Sequence, residues 1–175
     1  MDPEFATAAA QAAGIDSLTR EIAALADVDW LEASRQNGAP ELSWGDRFFF
    51  VAGNLKQPFA TIVQRDVPGW DEESRLDRPG VYRLNLDLGR EEFERQLGYP
   101  PSALSEHRDR IDFAAFDVLI PHPAYGRQGW ASILNPVRQR SEVNRLIQHA
   151  YAKAVRRHRR HEHRADVEPD EARSS

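Results

Sequence analysis

The chain has 175 residues, no cysteine and a formal net charge of −5. That length suits one globular domain able to bury its own core, and the lack of cysteine excludes disulfides, thiolate metal sites and a cysteine nucleophile. No apolar run approaches the roughly 20 residues of a membrane span, so a soluble, cytoplasmic protein without membrane partners is expected.

The charge is unevenly spread. Residues 137–164 carry nine Lys/Arg against two Glu, whereas residues 1–136 carry 13 Lys/Arg against 22 acids. An acidic body makes a poor footprint for duplex DNA. Nucleic-acid binding would therefore have to use the basic C-terminal helix, and is the weakest of three functional readings.

In chain order, Met1-Asp2-Pro3-Glu4-Phe5 reads as a translated cloning site, and residues 1–14 are expected to form a flexible N-terminus. Asp16 or Ser17 can cap a helix carrying Leu18, Ile22, Leu25 and Ala26 at helical spacing. Val28 to Ser34 reads as a strand, and Gln36-Asn37-Gly38-Ala39-Pro40 as a turn. Leu42, Trp44, Phe48 and Phe50 alternate with Ser43, Gly45 and Arg47, the pattern of a half-buried strand. After Gly53-Asn54, Phe59 to Val63 continues an antiparallel meander. Asp66 to Pro79 is a long polar loop holding Trp70, of a length that is often functional or mobile. From Gly80 to Leu88 the alternation puts Tyr82, Leu84, Leu86 and Leu88 on one face, and Val81, Arg83, Asn85 and Asp87 on the other.

Residues 89–98 predict a short helix ended by Gly98. Val118 to Ile120 and Trp130 to Leu134 are two further strands around the loop Pro121 to Trp130. The final helix is marked by Val143, Leu146, Ile147, Ala150, Tyr151, Ala154 and Val155, one apolar stripe. From Arg156 to Arg164 no apolar partner continues it, so fraying is expected there. The organisation is one domain over residues 15–157, followed by a basic and then acidic disordered tail over 158–175. The fold class is α+β: a curved, mainly antiparallel sheet packed against N- and C-terminal helices.

The segments Pro58-Phe59-Ala60-Thr61-Ile62, Tyr82-Arg83-Leu84-Asn85, His122-Pro123-Ala124-Tyr125, Gly129-Trp130 and Asn135-Pro136, together with Trp44, resemble an uncharacterised actinobacterial domain family with no established activity. The order of elements is also similar to the MmcQ/YjbR-like fold. In that wider family an FA-containing strand, a tryptophan strand and a C-terminal helix follow one another. The resemblance spans roughly residues 15–157 and implies an α+β fold; the wider name often carries a DNA-binding label.

For function, the loop Pro121 to Trp130 gathers two prolines, two glycines, a histidine, a tyrosine and a tryptophan. His122 could act as acid or base near neutral pH, or merely bond a loop carbonyl. Tyr125 and Trp130 could wall a pocket, or simply pack. Gly126 and Gly129 are expected to supply turn angles. Arg83, Asn85 and Asp87 share a strand face, which a helix would bury or a groove would expose. In a groove, Arg83 would read a carboxylate or phosphate through two hydrogen bonds, and Trp44 and Asp46 could complete the wall.

His158, His161 and His163 around Glu162 have metal-ligand spacing, but on a fraying, arginine-rich end they amount to surface chelation. No metal and no cofactor is expected. The pairs Glu72-Glu73 and Glu91-Glu92 read as solvated charge. No GxGxxG, HExxH or GxSxG occurs. These absences favour a binding module for a small molecule or protein, using Arg83, Asn85, His122, Tyr125, Trp130 and Trp44. An enzyme of specialised metabolism with His122 and Tyr125 is the alternative. A free sheet edge leaves homodimerisation open.

Overall fold

Turns set the sheet. The computed structural model describes residues 3–137 and 140–167. Strands β1 (Val28–Glu32), β2 (Arg47–Val51), β3 (Ala60–Val63) and β4 (Arg83–Asp87) pair antiparallel in chain order. Strand β5 (Leu119–Pro121) lies at the far edge, with β6 (Trp130–Leu134) between it and β4, so the six-stranded order is β1-β2-β3-β4-β6-β5. The sheet is open and antiparallel, an arrangement with which the alternation in these segments agrees.

Helix α1 (Pro3–Ala23) and helix α4 (Arg140–Val167) cover one face. Ile15, Leu18 and Ile22 of α1 and Val143, Leu146, Ile147, Ala150 and Ala154 of α4 form a single core with Phe49, Ile62, Leu84, Leu86 and Ile133. That burial removes several large aliphatic side chains from water, each contributing about 1.5–3 kcal/mol. The α+β fold is thus two helices on one face of a half-covered sheet. Among the described residues, no helix is long and apolar enough to cross a membrane.

Three boundaries differ from expectation. Helix α1 starts at Pro3 rather than at Asp16 or Ser17; a proline suits the first helical position and the alanine-rich run behind it has high helix propensity. Helix α4 continues through the arginine tract to Val167, and at the start of that tract Arg157 reaches back to Asp87 and to the Gln57 carbonyl. Residues 158–167 are therefore helical, and the rest of the expected tail, 168–175, lies outside the described residues. The strand expected from Leu42 starts only at Arg47, after a 3-10 turn over Glu41–Ser43 and Gly45 at φ 90°.

Helix α2 (Gly89–Leu97) ends at Gly98 in the left-handed region, as its sequence requires. Its Glu92 is not solvated. The buried carboxylate accepts hydrogen bonds from Gln96 Nε2 at 2.8 Å, from Arg145 of α4 at 2.9 Å, and from Arg95. It ties α2 to α4. Residues 100–112 contain the short helix α3 (Leu104–His107) between two 3-10 turns.

The register separates two neighbouring phenylalanines. Phe49 lies fully buried beneath the helices, whereas Phe48 faces the other side opposite Thr61. Phe49→Ala is expected to cost about 3–5 kcal/mol by urea unfolding, the usual range for an aromatic cavity. Phe48→Ala should cost clearly less, and equal losses would contradict this register.

Candidate functional site

The face turned away from α1 and α4 carries a polar row. Thr61 of β3, Asn85 of β4 and Ser132 of β6 are cross-strand neighbours. Asn85 Nδ2 donates to Thr61 Oγ1 at 2.9 Å, while its Oδ1 accepts from Ser132 Oγ at 2.7 Å and from Arg83 Nε at 2.8 Å. Arg83, only 1% exposed, is the largest fully buried side chain. A buried guanidinium demands a counter-ion and full hydrogen bonding. Asp71 provides both: its Oδ1 lies 2.9 Å from Nη1 and its Oδ2 2.5 Å from Nη2. Ser74 Oγ accepts a further Nη1 bond at 2.7 Å.

Asp71 arrives on the long loop, whose local chemistry explains its position. Val67-Pro68-Gly69-Trp70 is a tight turn, with Gly69 at φ 73° and the Trp70 amide donating to the Val67 carbonyl at 3.0 Å. Proline followed by a positive-φ glycine is the type II pattern. Val67 and Asp71 then exchange two backbone hydrogen bonds. The Asp66 carboxylate accepts the Leu76 amide at 2.9 Å, drawing the ends together as in an Ω-loop. So the loop covers part of this face, a role that neither a helix nor open solvent takes. Beneath it Leu76, Val81, Phe113, Ile120 and Leu134 form a second small core.

The opposite rim is the loop after β5. His122 Nδ1 accepts the amides of Ala124 at 3.1 Å and Tyr125 at 3.2 Å, and the His122 carbonyl accepts the Gly126 amide at 2.8 Å. The ring nitrogen thus bonds loop amides rather than a loop carbonyl. Gly129 does supply a turn angle, at φ 87°, and also packs so closely on Gly89 that a Cβ would sit 2.8 Å from the Gly89 carbonyl carbon. Gly126 has no positive φ; a Cβ there would strike Leu104 Cδ2 at 2.6 Å, so its size matters instead. Arg108 joins the two rims, donating twice to the Pro123 carbonyl at 3.1 Å and pairing with Glu73.

Electrostatics follow from burial. Burial, and then the Arg83 charge, push the His122 imidazole down to about 3, against the opposing pull of Asp71. The ring is neutral near pH 7. Because Nδ1 accepts two amides, the proton resides on Nε2. The acceptor nitrogen a general base needs is occupied, an arrangement suited to donating a hydrogen bond. Burial would raise the Asp71 carboxyl, but the hydrogen bonds and charge of Arg83 outweigh it and hold it below its ordinary value of 3.8. Asp46 behaves oppositely. Burial pushes it up to about 7, although the Gln64 amide and the charges of Arg65 and Arg83 act against this.

Arg83, Asn85, His122, Tyr125 and Trp130 all line one cavity of about 400 Å³. Its other walls are Phe48, Pro58, Thr61, Val63, Val67, Trp70 and Asp71. Trp70 and Tyr125 meet edge to face at 6.2 Å, and Tyr125 meets His122 at 5.1 Å. Two expectations require correction. Trp44 does not line the cavity; its Nε1 donates to the Ala39 carbonyl at 2.9 Å within the turn before β2. Asp87 does not supply the groove's carboxylate, because at the strand end it pairs with Lys153 at 2.5 Å and Arg157 at 3.2 Å of α4. Asp71 holds that place. Sequence reading missed Asp71, Ser74, Thr61, Trp70 and Phe48; the turn Val67–Trp70 and the need of a buried Arg83 for a counter-ion were the available signals.

Two outcomes are expected. Asp71→Ala should cost about 3–5 kcal/mol in urea unfolding, since it strands a buried guanidinium, whereas the double change Arg83→Met, Asp71→Leu should recover much of that loss. The second concerns pH. His122 has a folded value near 3 against an ordinary 6.5, so the unfolded chain takes up the proton first and stability falls as pH drops through that window. Asp46, at about 7 against 3.8, makes the folded chain bind the extra proton, so stability falls as pH rises from 3.8 to 7. Relative to the parent, Asp46→Asn should lose stability more steeply towards acid, and His122→Asn less steeply. Parallel pH profiles of urea midpoints for all three proteins would refute both assignments.

Among known proteins, no curated protein and no solved structure matches the chain, and the likeness to the MmcQ/YjbR-like fold stays an expectation. A protein-family model matches residues 13–163, a span that includes every residue of the cavity. The chain belongs to the family of unknown function DUF6194.

Proposed function

We propose that the protein is a binding module for a small organic molecule, held in the cavity between the Asp66–Asp77 loop and the His122 loop. The observation that carries this reading is the cavity's make-up: a compact polar floor under a mainly apolar and aromatic wall. Ligand sites are built this way, with apolar surface for affinity and a few placed polar groups for orientation. The rim argues in the same direction. Trp70 is 63% exposed and Tyr125 44% exposed, and large aromatics held at a pocket mouth contribute contact area at little entropic cost.

This reading ranks above proton-transfer chemistry at His122, whose Nδ1 is occupied and whose ring stays neutral. It also ranks above nucleic-acid binding through α4, where Lys153 and Arg157 are engaged with Asp87. A protein segment inserting one side chain into the cavity would use the same groups, but a volume of about 400 Å³ lies in the range of small-molecule sites.

The test is a thermal-shift screen of small organic compounds against the parent protein, Trp70→Ala and Tyr125→Ala. Both rim residues are exposed, so the variants should keep the parent melting temperature within about 2 °C. Compounds that stabilise the parent should lose at least about half of their shift in each variant. Stabilisation indifferent to both changes would move the site elsewhere.

A further inference from the structure

We infer that the cavity takes a flat, uncharged molecule that presents a hydrogen-bond acceptor, such as a ring carbonyl, to His122 Nε2 and Arg83 Nη2. This rests on the binding reading above and names the ligand class.

The donors of Arg83 are nearly all committed. Nε serves Asn85, Nη1 serves Asp71 and Ser74, and one hydrogen of Nη2 serves Asp71. The two-pronged face that would grip a ligand carboxylate already grips Asp71. An incoming anion would find no open fork and would stand beside the Asp71 carboxylate. The paired charges cancel, so the floor selects against net charge of either sign.

One Nη2 hydrogen remains, and it faces His122 Nε2 at 3.3 Å. With the proton on Nε2, both groups are donors, so this contact is not a hydrogen bond. The nearest carboxylate oxygen, Asp71 Oδ2, is 3.8 Å from Nε2, beyond hydrogen-bonding reach. His122 is 4% exposed, so bulk water does not serve this donor freely. Two buried N–H groups therefore converge beside the cavity without an acceptor between them among the described residues. Buried donors left without an acceptor destabilise a fold, and a ligand that serves them recovers that loss. A carbonyl oxygen entering from the cavity has two lone pairs and can meet both. Phe48, Trp70, Tyr125 and Trp130 line a space of about 400 Å³, room enough for an aromatic bicyclic body to lie against them.

Equilibrium dialysis of the full chain against three probes of similar shape tests this: coumarin, naphthalene and 2-naphthoate. Coumarin should bind about tenfold more tightly than either of the others, the worth of a good hydrogen bond. In His122→Asn the amide oxygen can replace Nδ1 as acceptor for the loop amides, but no donor stands at Nε2; the coumarin preference should disappear. In His122→Gln the amide nitrogen can stand where Nε2 was, and part of the preference should return. Naphthalene binding to His122→Asn at the parent's affinity would show that the pocket is intact. Naphthalene binding as tightly as coumarin would overturn the acceptor inference, naphthoate binding as tightly would overturn the exclusion of charge, and either result would leave the cavity as a binding site. A coumarin preference retained in His122→Asn would overturn the donor assignment. If none of the three probes binds, the binding reading itself falls.

Discussion

The structure depends on placing a full positive charge in the middle of a sheet and neutralising it there. Arg83 sits on β4 with strands on both sides and a loop above. A buried charge without compensation is costly enough to unfold a small domain. The chain answers with a carboxylate, a hydroxyl and an amide oxygen in ideal reach of the guanidinium. Everything on this face is arranged around that answer. The Pro68-Gly69 turn aims Asp71 inward, and Thr61, Asn85 and Ser132 extend the hydrogen bonding sideways across three strands.

The two faces of the sheet therefore have different physics. Beneath α1 and α4, stability comes from non-directional burial, where volume and pattern suffice. On the other face it comes from directional bonds in a low-dielectric setting, where each partner must be present. A directional network fixes the geometry of its members closely, a property valuable in a recognition surface. His122 stands beside this network, its ring pinned at Nδ1 by two loop amides while its other nitrogen faces Arg83.

Much of the fold was legible because periodicity reports directly on burial. The stripe from Val143 to Val155 docks as expected, and the alternation from Tyr82 to Leu88 correctly separates the helix-covered leucines from Arg83 and Asn85. Alternation misled where the backbone stops being a strand. Reading it through Gly45 placed Trp44 in the sheet, although the chain turns there at φ 90°. Reading it to the strand end put Asp87 in the groove, although α4 approaches closely enough for Lys153 and Arg157 to claim it. Asp71 was hard to single out for a different reason. A counter-ion supplied by a loop twelve residues away in sequence is set by tertiary geometry, and no local pattern encodes which of several acidic residues turns inward.

The loop that carries Asp71 also has a consequence for the order of folding. Helix and strand packing can bury the opposite face by apolar contacts alone. The central strand cannot become dry on its second face until the carboxylate docks, because before that moment the guanidinium retains its hydration. Loop docking is thus the step that expels water from the sheet, and its reversal readmits it. Local opening of residues 66–77 would wet the middle of the domain while leaving the helices in place. The few residues that complete the polar cluster are then also the ones whose opening would expose it.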